Sequence, residues 1–337
     1  MLANVSQNGS IGVTGVGSYV PDKVLTNDDL AELVETSDEW IIERTGIKQR
    51  HIAEAGQAAS DLALPAARQA LEQARVDPAD LDLVVVATVT PDMFFPSTAS
   101  LLAAELGADD AAAYDLSAGC TGFMYALAQA YGTVAGGMAR NALVVGAETL
   151  SKIINWHDRA TCVLFGDGAG AVLIERVPDG GFLGFELGSD GEGGKELSMP
   201  AGGSRNPSTA ETVAQEMHFL QMNGREVYKF ATRVLVSSAE KLLEEIGLGV
   251  DDIDVYVPHQ ANKRIIDHAA AKLGIPEEKV FVNVDRYGNT SSASIPLCLA
   301  QAVREGRLQK GTRVLMTGMG AGLTWGSAYT VWGNGTV

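Results

Sequence analysis

A cysteine between two glycines is the first residue in this sequence that could do chemistry. Cys120 lies within residues 115–127, between Gly119 and Gly122, where little side-chain bulk hinders an approaching carbonyl carbon or masks backbone N–H groups. Apolar residues recur every three or four positions after it, which predicts a helix whose N-terminus favours a thiolate nucleophile. Cysteine is also among the residue types most often buried in cores, so Cys120 alone favours function only modestly.

Two polar residues occupy comparable places later in the chain. His259 follows a short apolar run, and Asn289 lies beside Gly288 in a turn before a helical pattern. A neutral imidazole and an amide each donate an N–H hydrogen bond, which suits a carbonyl oxygen that becomes an enolate. A histidine after a strand is more often structural, and an asparagine beside glycine is more often a turn residue. It is the combination with Cys120 that suggests a Cys–His–Asn catalytic set.

The elements that must position these residues form an internal repeat. In the first copy, predicted strands at residues 83–89 and 111–116 lead into the cysteine turn. In the second copy, predicted strands at residues 255–257 and 280–284 lead into the asparagine turn. Self-similarity of this kind indicates two related structural units, with a site at their junction that draws residues from both.

Each copy alternates strands with helices, and its strands are continuous Val and Leu runs typical of parallel strands buried on both faces. The sequence therefore predicts an α/β protein with two pseudo-symmetric halves, each with a mostly parallel sheet layered with helices. We place the first half, with the cysteine, at residues 11–180 and the second, with the histidine and asparagine, at residues 181–337.

Composition excludes several functional classes. The chain has 337 residues, 46% of them hydrophobic, and a formal net charge of −17, which disfavours disorder and generalised nucleic-acid binding. Its three cysteines lack metal-ligand or disulfide-framework spacing, so we expect no zinc and reduced thiols. No apolar run is long enough to span a membrane and residues 1–10 do not resemble a signal peptide, so we expect a cytoplasmic protein.

Five segments together resemble the β-ketoacyl-acyl-carrier-protein synthase III family, whose members have the thiolase fold. The resemblance runs from about Ile11 to Trp332. The segments are residues 115–123 around the cysteine, residues 257–262 (Val-Pro-His-Gln-Ala-Asn), residues 288–291 (Gly-Asn-Thr-Ser), residues 36–50, and residues 323–327 (Leu-Thr-Trp-Gly-Ser).

The resemblance implies the initiating condensation of type II fatty-acid synthesis. An acyl group, with acetyl expected, moves from acyl-CoA to Cys120; malonyl-acyl-carrier protein then loses CO₂ and attacks the thioester to give 3-oxoacyl-carrier protein. His259 and Asn289 would hold the malonyl carbonyl, and the backbone N–H groups of Cys120 and Ala321 would form the oxyanion hole. The family needs no metal or organic cofactor and forms homodimers.

The resemblance also implies binding residues for each substrate. Coenzyme A would contact Trp40, Arg44, Arg159, Asn223 and Asn262. The acyl pocket would be shaped by Met319 and by Phe95, the latter reached across a homodimer interface. The acidic carrier protein would dock on the segment that comprises Gln260, Ala261, Asn262, Lys263 and Arg264.

Two alternatives stay open from the sequence. Polyketide-type, quinolone-type and head-to-head acyl condensing enzymes keep the same triad on the same fold and change the pocket. Met319, where the family commonly has phenylalanine, and Ala321, where some relatives have glycine, leave the chain-length preference open. A non-catalytic scaffold that retains the fold is the other alternative, although a scaffold has no need of an accessible cysteine among glycines.

Overall fold

The computed structural model describes residues 10–333. Residues 1–9 and 334–337, the latter in the predicted C-terminal half, lie outside the described residues. The strands are β1 (Ser10–Tyr19), β2 (Val24–Thr26), β3 (Gln49–His51), β4 (Leu83–Ala87), β5 (Ala112–Leu116), β6 (Asn141–Glu148), β7 (Gly168–Val177), β8 (Gly181–Ser189), β9 (Leu197–Ser198), β10 (Gln221–Met222), β11 (Val255–Pro258), β12 (Arg313–Gly320) and β13 (Thr324–Val331). The α-helices are α1 (Asn27–Ala31), α2 (Asp38–Thr45), α3 (Ala59–Ala74), α4 (Thr98–Leu106), α5 (Gly122–Ala135), α6 (Arg159–Cys162), α7 (Ala210–Ala214), α8 (Gly224–Ile246), α9 (Lys263–Leu273), α10 (Val284–Tyr287) and α11 (Ser294–Arg304).

Two main sheets form the framework. The first has the strand order β1-β7-β6-β4-β5, and the second has the order β11-β12-β13-β8. The chain leaves the first sheet after Val177 and enters the second at Gly181, next to the boundary proposed between the halves. No helix among the described residues has the length and apolar character needed to span a bilayer.

The predicted α/β layering is confirmed, but the sheets are mixed rather than mostly parallel. Strand β4 runs parallel to β5 and β6, and β11 runs parallel to β12. Strands β1, β7, β8 and β13 pair antiparallel with their neighbours. In the second sheet, β12 and β13 are joined by the short connection at residues 321–323, and so tight a connection permits only antiparallel pairing.

Helices cover both faces of each sheet, which explains the long apolar runs. Helix α5 contacts β4, β6 and β13, and α11 contacts β1, β7 and β11, so these two helices lie between the sheets. Helices α3 and α4 pack on the other face of the first sheet, and α8 packs on the second. In β4, Val84 and Val86 face the outer helices, whereas Val85 and Ala87 face the central layer.

One predicted strand does not form. Residues 280–283 make a single parallel bridge, between Tyr256 and Val280, and the chain then enters α10. The reason is a side chain: Oε1 of Gln260 accepts hydrogen bonds from the backbone N–H groups of Asn283 (2.9 Å) and Val284 (3.2 Å). Because a glutamine amide takes these donors, they are not available to a strand ladder, and the second sheet has four strands against five in the first.

Candidate active site

Cys120 lies where backbone from the two halves comes into contact. It is half-buried and directly precedes Thr121, the N-cap of α5. Gly119 has a φ of +58°, and a Cβ built there would lie 2.6 Å from the backbone N of Ala321. A Cβ on Gly320 would likewise collide with the backbone N of Cys120. Glycine at both positions therefore lets the cysteine turn and the β12–β13 connection approach closely.

His259 reaches the same place from the end of β11. Its backbone N–H donates to the carbonyl of Thr317 (2.7 Å), and the side chain is buried. Burial lowers the pKa of His259 to about 3, so the imidazole is neutral at physiological pH. Its Nδ1 lies 2.6 Å from Oγ of Ser294, while the buried Nε2 has no hydrogen-bond partner.

Asn289 is held by its backbone on both sides. Its N–H donates to the carbonyl of Leu164 (2.8 Å), and its carbonyl accepts from the N–H of Gly166 (3.0 Å). The side-chain Oδ1 accepts the N–H of Ser291 at 2.8 Å. With the oxygen used in this way, the Nδ2 group is the part of the amide left to donate to a ligand.

Two cavities meet at Cys120. The outer cavity has a volume of about 210 Å³, and its lining includes Trp40, Arg44, Cys120, His259 and Asn289. The inner cavity, of about 150 Å³, lies on the other side of Cys120, and its lining is Val89, Gly119, Cys120, Leu150, Ile153, Phe165, Leu197, Ser198, Met199, Leu220, Ser291 and Ala321. A thiol placed between an entrance that carries a few polar side chains and an apolar recess can exchange a group between the two.

The thiol itself is not acidified. Burial raises the pKa of Cys120 to about 11, and the Ser291 hydroxyl opposes this shift. This corrects the expectation that the helix N-terminus would favour the thiolate. The half-buried sulfur loses so much hydration that desolvation outweighs its place next to α5, and the resting group is the neutral thiol.

Trp40 is enclosed by two arginines at the mouth of the outer cavity. The guanidinium carbon of Arg44, one helical turn further along α2, lies 4.7 Å from the ring centroid, and that of Arg159 lies 4.9 Å from it. Arg159 also donates to the carbonyl of Glu35 (2.9 Å). Asn262 joins this wall, because its Nδ2 donates to the carbonyl of Arg44 at 3.0 Å.

Comparison with known proteins identifies the family. The model of 3-oxoacyl-[acyl-carrier-protein] synthase III matches residues 114–191, and the model of that family's C-terminal region matches residues 243–332. A β-ketoacyl-[acyl-carrier-protein] synthase III from Desulfitobacterium hafniense is 57% identical over 324 residues, which is 96% of this chain and 98% of the relative. The chain belongs to the β-ketoacyl-acyl-carrier-protein synthase III family. It is therefore an acyltransferase, a condensing enzyme with the thiolase fold.

Solved structures agree with this assignment. The synthase III from Thermus thermophilus is 50% identical, has a TM-score of 0.89 and covers 96% of this chain and 99% of its own. The priming β-ketosynthase of the R1128 polyketide pathway is 39% identical, with a TM-score of 0.90 and coverage of 99% of both chains. The resemblance seen in the sequence is thus confirmed, and the polyketide-type relative shows how widely this fold is used.

The structure places several of the predicted binding residues on other surfaces than the resemblance implies. Gln260 is only 1% exposed, and its side-chain amide is hydrogen-bonded to backbone groups. Ala261 is buried against the outer cavity, so neither residue is available at a docking surface. Asn223 is exposed and donates to Oε2 of Glu196 (2.8 Å) instead of lining the cavity. Met319 lines the outer cavity rather than the inner one, because β12 passes on that side of Cys120.

Phe95 lines neither cavity of its own chain. It is 84% exposed, in the loop between β4 and α4, beside the equally prominent Phe94. Of the remaining docking residues, Lys263 pairs with Asp267 (2.7 Å), and the guanidinium of Arg264 lies 5.9 Å from the ring centroid of Tyr228.

The sequence analysis missed three residues of the site: Glu148, Ser291 and Ser294. Glu148 ends the apolar strand β6, and the two serines belong to a run of hydroxyl residues at positions 290–294. Two signals in the sequence could have identified these residues. One is a carboxyl side chain at the end of a buried strand, and the other is the hydroxyl side chains next to a predicted catalytic asparagine. Glu148 contacts Ser291, and Ser294 contacts His259.

Proposed function

We propose that the chain catalyses the initiating condensation of type II fatty-acid synthesis through an acyl-enzyme on Cys120. The observation that carries this proposal is the convergence of Cys120, the unpartnered Nε2 of His259 and the Asn289 amide on one cavity. Two neutral N–H donors beside a nucleophile suit a reaction that must stabilise first a tetrahedral oxyanion and then an enolate.

In the first half-reaction the Cys120 sulfur attacks the acyl-CoA thioester. The carbon–sulfur bond to coenzyme A breaks, and the thiol proton leaves with the coenzyme A sulfur. The backbone N–H groups of Cys120 and Ala321, whose loops touch at Gly119, are the proposed donors to the oxyanion. The acyl chain lies in the inner cavity, whose volume of about 150 Å³ corresponds to roughly five water-sized groups and favours short primers such as acetyl.

In the second half-reaction the malonyl thioester occupies the outer cavity. Its carbonyl oxygen accepts hydrogen bonds from Nε2 of His259 and Nδ2 of Asn289, which stabilise the enolate formed as CO₂ leaves. The enolate carbon attacks the Cys120 thioester, the 3-oxoacyl-carrier protein forms, and the released cysteine sulfur takes a proton. A neutral imidazole suits this role because it donates without being consumed as an acid.

For coenzyme A we propose Trp40, Arg44, Arg159 and Asn262 as the binding wall. Both arginines already lie against the indole ring, so an adenine would replace one guanidinium or extend the stack. Their charge also suits phosphate groups. We expect Arg159→Ala to raise the KM for acyl-CoA about tenfold, with Arg140→Ala, at a surface pair with Asp82, as the matched control.

For the malonyl-acyl-carrier protein we propose that Arg264 and Lys263 form the docking face beside the outer cavity. The net charge of −17 opposes an acidic carrier, so a local basic patch must offset it. Charge reversal of both residues should weaken turnover with carrier protein, and the effect should shrink as salt rises. Lys272→Glu, at the far end of α9, is the matched control.

We further propose that the protein is a homodimer in which Phe95 of each subunit reaches the acyl pocket of the other. We also propose that the chain divides into two halves near residue 180, and that the reaction takes place in the cytoplasm and needs no cofactor. Exposure of Phe94 and Phe95 supports the dimer, since neighbouring exposed aromatics are typical of interfaces. Disruption of the dimer by Phe94→Glu should lower activity in step with dissociation measured by light scattering.

The decisive experiment is intact-mass analysis after incubation with acyl-CoAs of increasing length. A single adduct mapped to Cys120, discharged by malonyl-acyl-carrier protein with release of 3-oxoacyl product, is the expected result. Cys120→Ala should give no adduct, whereas Cys162→Ala, at a buried thiol, should acylate normally. Acylation without condensation on any malonyl donor would contradict the proposal, and so would failure of every acyl-CoA to form an adduct.

A further inference from the structure

Glu148 is a fully buried carboxyl group at the end of β6, close to the active site. Its Oε2 atom accepts from the Thr90 hydroxyl (2.8 Å), the Val89 N–H (3.1 Å) and the Thr88 hydroxyl (3.2 Å). No lysine, arginine or histidine among the described residues forms an ion pair with it. A buried ionised carboxylate without a counter-ion is strongly disfavoured.

The other carboxyl oxygen faces the turn that carries Asn289. Oε1 of Glu148 lies 2.9 Å from the Ser291 hydroxyl and 2.8 Å from the Ser292 hydroxyl, with the Ser292 N–H further off at 3.4 Å. The two serines belong to the second half of the chain and the glutamate to the first. One carboxyl group therefore joins the halves at the active site.

The position of Ser292 indicates whether the Glu148 carboxyl group carries a proton. Its Oγ is 2.7 Å from the carbonyl oxygen of Ala87 and 2.8 Å from Oε1 of Glu148. A hydroxyl has one hydrogen and a carbonyl can only accept, so Ser292 donates to Ala87. The contact with Glu148 is then a hydrogen bond only if the glutamate carries the proton and donates it to Ser292.

Ser291 transmits this contact to the reacting groups. Its backbone has a φ of +50°, unfavourable for a residue other than glycine, and it needs support from its surroundings. Its N–H holds Oδ1 of Asn289 (2.8 Å), and it lines the inner cavity together with Cys120. The contact with Glu148 thus fixes both the orientation of the Asn289 amide and a hydroxyl beside the thiol.

We propose that Glu148 is a positioning residue that works as a neutral carboxylic acid, holding the turn at residues 289–292 so that Asn289 and Ser291 keep their places beside Cys120. Burial also raises the pKa of Glu148, which agrees with the hydrogen count. The titratable groups that face the thiol are Glu148 and the neutral His259. Residues 88–90, 118–122, 289–292 and 319–321, which pack around the pair, contribute no other charged side chain. Strand β7 pairs with Glu148 at Gly168, and the buried Asp167 before it is held by hydrogen bonds from Ser151 and Ala53.

The test compares Glu148→Gln, Glu148→Ala and Ser291→Ala with the wild type. A glutamine amide donates where the acid proton lies and accepts at the other oxygen, so it reproduces a neutral acid and not a carboxylate. We expect Glu148→Gln to keep condensation kcat within about threefold, and Glu148→Ala to lower it about 10²-fold with the KM for acyl-CoA changed less than about twofold.

The second readout is the rate of Cys120 alkylation by iodoacetamide at pH 7, which follows the fraction of thiolate. Removal of a neutral group should change this rate in Glu148→Gln by less than about threefold, whereas loss of a nearby negative charge would raise it about tenfold or more. In Ser291→Ala this rate should fall, because the hydroxyl that favours the thiolate is lost.

A folded Glu148→Gln enzyme as inactive as Glu148→Ala, or with its alkylation rate at pH 7 raised about tenfold, would overturn the neutral-acid assignment. Wild-type kcat in Glu148→Ala would overturn the positioning role; if that variant does not fold, wild-type condensation in Ser291→Ala would do so. The kinetic arm rests on the proposed function, but the alkylation arm does not. If the enzyme does not catalyse the proposed condensation, the alkylation result still tests the role of Glu148, so the two failures can be told apart.

Discussion

Nδ1 of His259 lies 2.6 Å from Oγ of Ser294, and this contact decides which ring nitrogen can donate into the active site. Ser294 accepts a weak hydrogen bond from the N–H of Gln260 (3.4 Å), so its own hydrogen is free to point at Nδ1. We therefore infer that Nδ1 is the acceptor and that the proton of the neutral ring is on Nε2. The buried, unpartnered Nε2–H is therefore a donor ready for a substrate oxygen.

Replacement of Ser294 by alanine should separate the two half-reactions. Without the hydroxyl, the neutral ring is free to carry its proton on Nδ1, and the population that can donate from Nε2 falls. We expect malonyl decarboxylation to drop about tenfold, a loss of about 1.4 kcal/mol of transition-state stabilisation. Acyl transfer to Cys120, followed by intact mass, should change less and serves as the internal control. Equal losses in both steps would contradict the tautomer argument.

The low pKa of His259 predicts how stability depends on pH. The folded-state pKa is about 3 and the unfolded value is near 6.5, so between these values the unfolded chain binds a proton that the folded chain does not. The contribution of His259 to the free energy of unfolding is thus fully present above pH 6.5 and is lost as the pH falls towards 3. From pH 7 to pH 5 this histidine should contribute a loss of about 2 kcal/mol.

The matched comparison is His259→Gln, which keeps a polar side chain that does not titrate. Urea unfolding of both proteins at pH 7 and pH 5 should show a smaller loss in the variant, since the other four histidines are common to both. An identical loss in the two proteins would mean that the pKa of His259 is the same in the folded and unfolded chains. In that case burial would not be what keeps the imidazole neutral.

Gly119→Ala tests the contact between the cysteine turn and the β12–β13 connection. The added Cβ would lie 2.6 Å from the Ala321 nitrogen and must displace the proposed oxyanion donor. We expect both half-reactions to fall by about 10² or more, as for loss of an oxyanion-hole donor. Gly107→Ala is the control, because Gly107 also has a positive φ (+78°) but no atom lies within 4 Å of its Cβ position.

Gly107→Ala should lose about 1 kcal/mol of stability from the strained backbone and keep its activity. Comparable activity losses in the two variants would assign the effect of Gly119 to backbone strain rather than to the displaced donor. Wild-type activity in a folded Gly119→Ala enzyme would remove Ala321 from the proposed oxyanion hole.

The sequence points to three residues that the structure brings to one cavity, because each of them is marked locally. Cys120 lies among glycines before a helix, His259 follows a strand, and Asn289 adjoins a glycine in a turn. Glu148 and its serine partners could not be predicted in this way, since Ser291 and Ser292 are 143 and 144 residues away along the chain. Gln260 was assigned to the docking segment through the family resemblance alone, and its burial depends on backbone groups 23 and 24 residues further along the chain.

The inner cavity predicts which primer lengths the enzyme accepts. Leu220 lines this cavity but not the outer one, and Met222, two residues later, lines the outer cavity but not the inner one. Truncation of Leu220 to alanine removes three carbons from the wall and should let the acyl chain extend by about two or three methylene groups. Met222→Ala changes the entrance only and should leave the length preference as it was.

The measurement is the extent of Cys120 acylation across a series of straight-chain acyl-CoAs, read by intact mass at a fixed short time. In the wild type, acylation should fall steeply beyond short primers, because about 150 Å³ leaves little room. In Leu220→Ala this limit should move to longer chains while acetyl transfer stays nearly unchanged. A limit that moves equally in Met222→Ala, or that does not move in Leu220→Ala, would show that the acyl chain does not occupy the inner cavity.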